Sequence, residues 1–150
     1  MRKRMPTVNV GLIGYAFMGR AHSNAWRQVT PFLSPRVQPR LKVICGRSAR
    51  KVEAAARQWG WEETATDWRE VVSRPDVDLV DICTPGDSHA AIAIAAARAG
   101  KAVFCEKPLA NSVREAEAML AAVEKAGVAH MVCHNYRRAP AVVLAKRRVS

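Results

Sequence analysis

The chain has 150 residues, of which 49% are hydrophobic and 25% charged, and this suits a single folded domain with a sizeable core. No apolar run reaches the roughly 18 residues that a membrane-spanning helix needs, and the basic N-terminus lacks the apolar core and cleavage site of a signal peptide. We therefore expect a cytoplasmic protein with no membrane partner.

The formal net charge of +11 is concentrated in the first third of the chain. Residues 1–52 contain eleven Lys or Arg and no acid, whereas the remaining residues contain 13 of each sign. A positive field of this kind favours an anionic ligand. Nucleic acid is the competing explanation, because basic domains also bind phosphate backbones. The basic residues are interleaved with apolar ones and no nucleic-acid motif accompanies them, so we expect no nucleic-acid partner.

Predicted strands and helices alternate five times along the chain. The strands are short apolar runs at residues 8–13, 41–45, 79–83, 102–105 and 129–133. The helices are predicted at residues 18–28 (ending before Pro31), 49–59, 67–73, 88–99 and 112–126, with an irregular proline-rich connection at 30–40. Strands that are apolar throughout indicate a parallel sheet covered on both faces, and right-handed crossovers then give a doubly wound α/β fold.

Several residues are expected to cap these helices. Ser48 and Ser112 precede helices as N-caps, and Ser112 begins the S-x-x-E pattern of a capping box. Glycines follow the helices at the C-cap position, at Gly60, Gly100 and Gly127.

A glycine turn connects the first predicted strand to the first helix. Gly14, Ala16 and Gly19 form a G-x-A-x-x-G pattern. Such a turn offers backbone N–H groups and the positive end of a helix to a diphosphate. Ala16 stands where dinucleotide-binding turns place their middle glycine, so the motif is imperfect. We assign Gly14, Ala16, Phe17 and Met18 to cofactor binding.

Ligands of a doubly wound sheet bind beyond the carboxyl ends of its strands, where this chain places further polar residues. Arg47 and Ser48 follow the second strand, and no acid lies upstream. An NAD reader usually has a carboxylate at this point, whereas an arginine can pair with the 2′-phosphate of NADP. The sequence therefore slightly favours NADP over NAD, and the alternative is that Arg47 is only a solvated turn residue.

The loops after the third and fourth strands carry three more candidates. Thr84 can hydrogen-bond a cofactor ribose or phosphate, and His89 can contact the ligand, although a lone histidine is more often structural. Lys107 can hold a substrate hydroxyl or orient a nicotinamide, and Pro108 restricts its backbone. The alternative for Lys107 is a surface lysine in a turn.

Four cysteines, Cys45, Cys83, Cys105 and Cys133, each lie at or near the end of an apolar run. None forms the paired C-x-x-C spacing of a zinc site. We expect four buried thiols that close four strands, no metal, and the reducing conditions of the cytoplasm.

Three segments resemble the N-terminal half of the Gfo/Idh/MocA oxidoreductases, the relatives of glucose–fructose oxidoreductase and inositol dehydrogenase. They are GLIGYAFMGRAH, VDLVDICTPGDSHAAIAIAAARAGKAVFCEKPLANSVREAEAML and NYRRAPAV, and the similarity runs from about residue 8 to 143. The E-K-P motif, in register with T-P-x-x-x-H and N-Y-R, is far more specific than the glycine turn.

The resemblance implies an NAD(P)-binding Rossmann fold and hydride transfer at a hydroxyl carbon of a sugar, cyclitol or similar polyol. It implies that Lys107 is a catalytic residue near the nicotinamide and the substrate, with Glu106 beside it. It also implies that the cofactor cleft is lined by Thr84, Pro85, His89, Asn135 and Arg137, and we assign Glu106 to cofactor binding with them.

Members of this family continue into a second domain that carries the substrate pocket and a D-x-x-x-H catalytic pair. We therefore expect residues 1–150 to be the dinucleotide-binding half, with a core at about 7–133 and the start of the connection at 134–150. We expect this chain to bind NADP or NAD, to form a homo-oligomer, and to turn over sugars weakly or not at all. The alternative is a non-enzymatic, truncated NAD(P)-binding module that self-associates.

Overall fold

The computed structural model describes residues 5–149, and its centre is a sheet of six strands. In chain order the strands are β1 (Thr7–Ile13), β2 (Gln38–Cys45), β3 (Glu63–Ala65), β4 (Leu79–Ile82), β5 (Ala102–Glu106) and β6 (His130–Cys133). Every neighbouring pair is parallel, and the spatial order is β3-β2-β1-β4-β5-β6. The direction of winding reverses between β1 and β4, so the predicted doubly wound α/β fold is confirmed.

Residues 5–149 form six α-helices; the first five cover the two faces of this sheet, and the last packs against the turn that follows β6. They are α1 (Phe17–Leu33), α2 (Ala49–Trp59), α3 (Trp68–Ser73), α4 (His89–Arg98), α5 (Val113–Ala126) and α6 (Pro140–Val149), and short 3-10 turns occupy Gly86–Ser88 and Asn135–Arg138. Within residues 5–149, no helix combines the length and hydropathy that crossing a bilayer requires.

Two apolar cores hold the helices to the sheet. On one face, Leu12 and Ile44 of the central strands pack with Val52 of α2 and with Trp61. On the other face, strand residues such as Val80 and Val103 pack with α3, α4 and α5, through side chains that include Val71, Ile92, Ala96, Met119 and Val123. Strands buried on both faces explain why the sequence reads as short, continuous apolar runs.

Four of the predicted caps lie at their expected positions, but Gly100 lies one residue beyond the C-cap of α4, which is Ala99. Gly60 and Gly127 follow α2 and α5 in the left-handed conformation, with φ of 79° and 64°. The Ser112 hydroxyl accepts a hydrogen bond from the Glu115 N–H at 3.2 Å. Glu115 in turn accepts from the N–H of Asn111 rather than of Ser112, so the box closes one residue early. Ser48 is the N-cap of α2 but makes no capping hydrogen bond.

The prediction that α1 ends before Pro31 was wrong. The helix continues to Leu33, and Ser34 ends it with φ of 44° while its N–H donates to the Thr30 carbonyl at 3.2 Å. Pro31 lies in the last turn, so it removes one backbone hydrogen bond without interrupting the helix upstream. Residues 38–40, expected in an irregular connection, belong to β2.

Two elements were not predicted. The strand β3 has only three residues, and Glu63 and Thr64 break the apolar pattern because β3 is an edge strand paired only with β2. The helix α6 occupies most of residues 134–150, which were interpreted as a connection. Residues 1–4 and 150 of the predicted domain lie outside the described residues.

We expect Ser112→Ala to lower the free energy of unfolding by about 1 kcal/mol, because the N-terminus of α5 loses its capping oxygen. Ser48→Ala is the matched control, since Ser48 holds the same position on α2 without a capping hydrogen bond. Urea unfolding without nucleotide measures both. Equal losses for the two variants would contradict this account of the caps.

Candidate functional site

The carboxyl ends of the parallel strands meet at one edge of the sheet, where a cleft opens at the reversal between β1 and β4. The cleft has a volume of about 390 Å³. The loops after β1, β2 and β4 line it, through residues that include Gly14, Ala16, Arg47, Thr84 and Pro85. Five of the predicted cofactor residues therefore lie together at the place where doubly wound sheets bind ligands.

Backbone crowding requires the two glycines of the turn. Gly14 has a φ of 112°, and a Cβ there would lie 2.5 Å from the carbonyl oxygen of Cys83. A Cβ on Gly19 would collide with the carbonyl oxygen of Gly14. Ala16 has an ordinary φ of −73° and is exposed, so an alanine fits without strain. The departure from G-x-G-x-x-G thus falls at the one position that tolerates a side chain.

The N-terminus of α1 faces the cleft, and no side chain at its N-cap accepts a hydrogen bond from its free backbone N–H groups. Ala16 is the N-cap and offers no side-chain acceptor, and no acid lies in the first turn. The first N–H groups of a helix lack partners within the helix and carry positive potential. This end of α1 is therefore suited to an anionic group such as a diphosphate.

Two other predicted residues of this turn lie at the margin of the cleft. Phe17 begins α1 and is 71% exposed. Met18 packs partly buried against the core beneath α1 and α2. Neither side chain lines the cavity, so their contribution to the turn is through the backbone of the first helical residues.

At the far side of the cleft, Arg47 is exposed and lines the cavity together with Thr66 and Trp68. The ring of Tyr15 lies against the backbone of Gly46, where a Cβ would collide with it. The Arg69 guanidinium lies 4.5 Å from the centre of the Trp68 ring. This arrangement offers a flat aromatic surface and two cations beside the loop that follows β2.

The loops after β4 and β5 are linked by a buried histidine. His89 is 1% exposed, and its ring nitrogens lie 2.8 Å from the Thr84 carbonyl oxygen and 2.9 Å from the Pro108 carbonyl oxygen. Its position matches the structural alternative, because the ring braces two loops. The Thr84 hydroxyl, in contrast, borders the cleft and accepts a hydrogen bond from Ser88 at 2.7 Å.

The remaining predicted residues lie along the other half of the edge. Lys107 is exposed at the end of β5. Asn135 and Arg137 follow β6 and line a second cavity of about 610 Å³ between β6 and α6. The predicted residues that line a cavity are thus divided between two cavities, and Lys107 directly follows β5, the strand between β4 and β6.

The structure places Glu106 in a buried polar cluster that the sequence did not reveal. The imidazole of His22, on α1, lies between two carboxylates, with Nδ1 2.9 Å from Asp81 Oδ1 and Nε2 3.0 Å from Glu106 Oε1. Trp26 donates from Nε1 to Asp81 Oδ2 at 2.7 Å. The ring of Phe104 stacks on His22 at 5.4 Å between centroids. We name the three residues His22, Asp81 and Glu106 the histidine–carboxylate cluster.

Burial and charge act against each other in this cluster. Burial lowers the pKa of His22, but the hydrogen bonds and charges of Asp81 and Glu106 outweigh it and raise that pKa above its ordinary value. Burial raises the pKa of Glu106, but Cys133, His22 and the Lys107 N–H together hold it below its ordinary value. The protonated ring then donates from both nitrogens, one to each carboxylate.

The cysteines are free, as expected, but they are not equally buried. Cys45, Cys83 and Cys105 are buried, whereas Cys133 is partly exposed at the end of the edge strand β6. Burial, together with Glu106 and Asp81, raises the pKa of the Cys133 thiol to about 12. Burial and the nearby Asp81 also raise the pKa of Cys83.

Two sets of three possible metal ligands share His22, one with Asp81 and Cys83 and the other with Glu106 and Cys133. Their ligand atoms lie within 4.8 Å of one another. The ring nitrogens and carboxylate oxygens already bond to each other, and the raised pKa values of both thiols disfavour the thiolates that a metal requires. We interpret these residues as a hydrogen-bonded cluster.

The sequence held one signal for this cluster. Asp81 is the single charged residue in the apolar strand LVDIC, and a buried carboxylate needs a partner. His22 and Trp26 are spaced i, i+4 and so share one face of α1, which turns toward Asp81. Sequence spacing alone could not show that α1 and β4 bring these residues together.

Together, the parallel sheet with the order 3-2-1-4-5-6, the glycine turn and the uncapped helix define a nucleotide-binding domain of the Rossmann type. Residues 8–134 match GFO_IDH_MocA, described as "Oxidoreductase family, NAD-binding Rossmann fold". The chain belongs to this oxidoreductase family, as its E-K-P and T-P-x-x-x-H motifs led us to expect.

Characterised relatives of the chain include sugar dehydrogenases. It is 48% identical over 146 residues to levoglucosan dehydrogenase of Pseudarthrobacter phenanthrenivorans, covering 97% of this chain and 37% of that enzyme. It is 36% identical over 131 residues to D-apiose dehydrogenase of Paraburkholderia graminis, covering 87% of this chain and 33% of that enzyme. The chain therefore spans little more than a third of the length of these relatives.

Solved structures agree with this relationship. An oxidoreductase domain protein from Kribbella flavida superposes with a TM-score of 0.93 at 58% identity, over 97% of this chain and 40% of that one. Levoglucosan dehydrogenase in complex with NADH and L-sorbose gives a TM-score of 0.93 at 48% identity, over 97% of this chain and 39% of that one.

We expect an NMR titration of the His22 ring to give a midpoint above 6.5, and Glu106→Gln to lower it, because one of the two facing carboxylates is neutralised. The groups around the ring are Asp81 and Cys83 from β4 and its end, Glu106 from β5, and Cys133 from β6.

A pKa that is raised on folding gives stability that is fully present below about pH 6.5 and is lost as pH rises through the folded-state value. Glu106→Gln should reduce this loss of stability with rising pH, measured by urea unfolding at a series of pH values. Glu117→Gln, on the exposed surface of α5, is the control and should leave the titration of His22 unchanged. A midpoint at or below 6.5 in the parent chain would contradict the charged cluster.

Proposed function

We propose that this chain is the dinucleotide-binding part of an NAD(P)-dependent dehydrogenase that oxidises a hydroxyl carbon of a sugar, cyclitol or similar polyol. The observation that carries the proposal is the cleft between β1 and β4. There, Gly14 and Gly19 let the turn pack against backbone carbonyls that any Cβ would meet, and the N-terminus of α1 is uncapped. The names of the relatives, which include levoglucosan and inositol 2-dehydrogenases, support the substrate class.

Each part of the edge has a role in this proposal. The backbone of residues 14–18 binds the diphosphate, and Arg47 with Ser48 binds the adenosine ribose. Thr84 and Pro85 bind the central part of the cofactor, and Asn135 and Arg137 border the cofactor farther along the edge. These residues would hold a nicotinamide dinucleotide, which would supply the hydride acceptor for oxidation of the carbinol carbon, while the hydroxyl proton would pass to a base. Lys107 hydrogen-bonds the substrate oxygen and orients it, as the E-K-P resemblance implies.

The choice between the two dinucleotides depends on the loop after β2. Arg47 lines the cleft just after β2, and an arginine that follows this strand can pair with the 2′-phosphate of NADP, which supports NADP. A related levoglucosan dehydrogenase has been solved with NADH, which supports NAD. We propose that the cleft accepts both, with Arg47 as the residue that favours NADP.

The relatives are more than twice as long as the matched segment, and the resemblance implies that the substrate pocket of this family lies in the part beyond it. We therefore propose that the 150-residue chain binds the dinucleotide and oxidises polyols at most weakly. The four free thiols support a location in the reducing cytoplasm.

A self-associating, non-enzymatic module is the second candidate. Large apolar side chains are exposed beside the second cavity, including Met131 and Leu144, each 56% exposed. Such a patch favours association. Sedimentation at several concentrations tests this candidate, and a chain that stays monomeric at all of them would contradict it.

We expect NADH or NADPH at a hundred times its dissociation constant to raise the stability of the chain by about 2.7 kcal/mol, measured by thermal unfolding. Gly14→Ala should abolish this gain, because its Cβ would meet the Cys83 carbonyl. Ala16→Gly is the matched control and should keep the gain. No stabilisation of the parent chain by either nucleotide would overturn the proposed function.

We expect Arg47→Ala to weaken NADPH binding about tenfold and NADH binding much less, because only NADPH offers the 2′-phosphate. Arg50→Ala is the control, since it removes the same charge from the exposed surface of α2. Fluorescence titration of each variant with both nucleotides gives the affinities. Equal losses for the two nucleotides would identify Arg47 as a general contact rather than a selector.

A further inference from the structure

The histidine–carboxylate cluster connects two parts of the proposed site that lie far apart in the sequence, the turn before α1 and the loop that carries Lys107. His22 lies on the helix whose N-terminus faces the cleft, and it is 7% exposed. Asp81 and Glu106, at 0% and 3% exposed, lie on the neighbouring strands β4 and β5. A buried charge pair contributes little net stability compared with apolar packing. The value of this cluster therefore lies in the geometry it imposes.

Each oxygen of the Glu106 carboxylate accepts a hydrogen bond from a different residue. Oε1 accepts from His22 Nε2 at 3.0 Å, and Oε2 accepts from the backbone N–H of Lys107 at 3.0 Å. The position of His22 thus restricts the rotation of the carboxylate, and the carboxylate restricts the backbone at Lys107. On the other side of Lys107, the Pro108 carbonyl oxygen lies 2.9 Å from the His89 ring. The backbone that carries the exposed lysine is held at both ends by buried groups.

The opposite side of the His22 ring is held as firmly. Both oxygens of Asp81 lie within 3.0 Å of Nδ1, and Trp26 Nε1 donates to one of them. Phe104 stacks on the ring face. The imidazole therefore cannot turn away from Glu106 without breaking bonds to Asp81.

We propose that His22 is a positioning residue that orients Lys107 through Glu106 and ties the lysine loop to the helix that binds the diphosphate. The proposal rests on the proposed function for the role of Lys107. A shift of α1 moves His22, and His22 moves the carboxylate that holds the Lys107 N–H. Binding at the diphosphate and placement of the lysine are thereby coupled within this chain.

Three variants of the 150-residue chain test this link. In His22→Asn the amide can replace Nδ1 toward Asp81 but does not reach Glu106, and in His22→Gln it can replace Nε2 toward Glu106. Ser23→Ala is the matched control, because Ser23 is also buried on α1 and its replacement also removes two hydrogen bonds. Its hydroxyl donates to the Gly19 carbonyl and accepts from Trp61 Nε1. Amide hydrogen exchange measures Lys107 against the core amide of Val103.

We expect His22→Asn to speed exchange at Lys107 about tenfold relative to Val103, the effect of losing one charge-assisted hydrogen bond. His22→Gln should restore much of the protection, and Ser23→Ala should leave the ratio unchanged. A purely structural role would accelerate both amides equally in all three variants. That result, or an unchanged Lys107 amide in His22→Asn, would overturn the proposal.

A double-mutant cycle with NADH connects the link to binding. His22→Asn should weaken NADH about fivefold in the parent chain and less than about twofold in a Lys107→Met background. Equal losses in both backgrounds, or no loss in the parent, would show that His22 does not act through Lys107. If the parent chain does not bind NADH, the proposed function fails, while the exchange experiment still decides the link between His22 and Lys107.

Discussion

The close approach of the β1–α1 turn to the end of β4 is the constraint on which the site depends. The Cα of Gly14 lies so near the Cys83 carbonyl that no side chain fits, and Gly19 lies as near Gly14. This contact brings the helix N-terminus to the reversal point of the sheet and opens the cleft there. Ala16 lies outside this contact and has an ordinary φ, so an alanine side chain fits there and the turn forms with one glycine fewer.

A second constraint is electrostatic. Asp81 is fully buried in the middle of a strand, and the fold satisfies it with His22 and Trp26 from α1. Glu106 joins the same ring from the next strand. Apolar packing would hold α1 to the sheet equally well, but it would not define the rotation of a carboxylate. The polar cluster thus gives directional contacts at the residue directly before the exposed lysine, where direction matters for the proposed chemistry.

Much of the fold and part of the site followed from local patterns. Continuous apolar runs marked five of the six strands, and Gly60, Gly127 and Ser112 marked helix ends, because these features depend on neighbours in the sequence. The strand β3 was not predicted, because its three residues carry no apolar pattern and only their pairing with β2 makes them a strand. The predicted end of α1 before Pro31 was wrong, because a proline in the last turn of a helix removes only one backbone hydrogen bond. The positions of Arg47 and Thr84 in the cleft followed from the rule that strand ends meet.

The sequence by itself determined the class of fold, the family and the turn that faces the cleft, since periodicity, glycine placement and motifs are local properties. Only the tertiary structure decided what Glu106 and His89 do. Both were interpreted as cleft residues, and both lie buried, one against His22 and one between two loops. Their partners come from elements as many as 84 residues apart in the chain. Such pairs are set by the packing of α1 on β4 and β5, which no local pattern encodes.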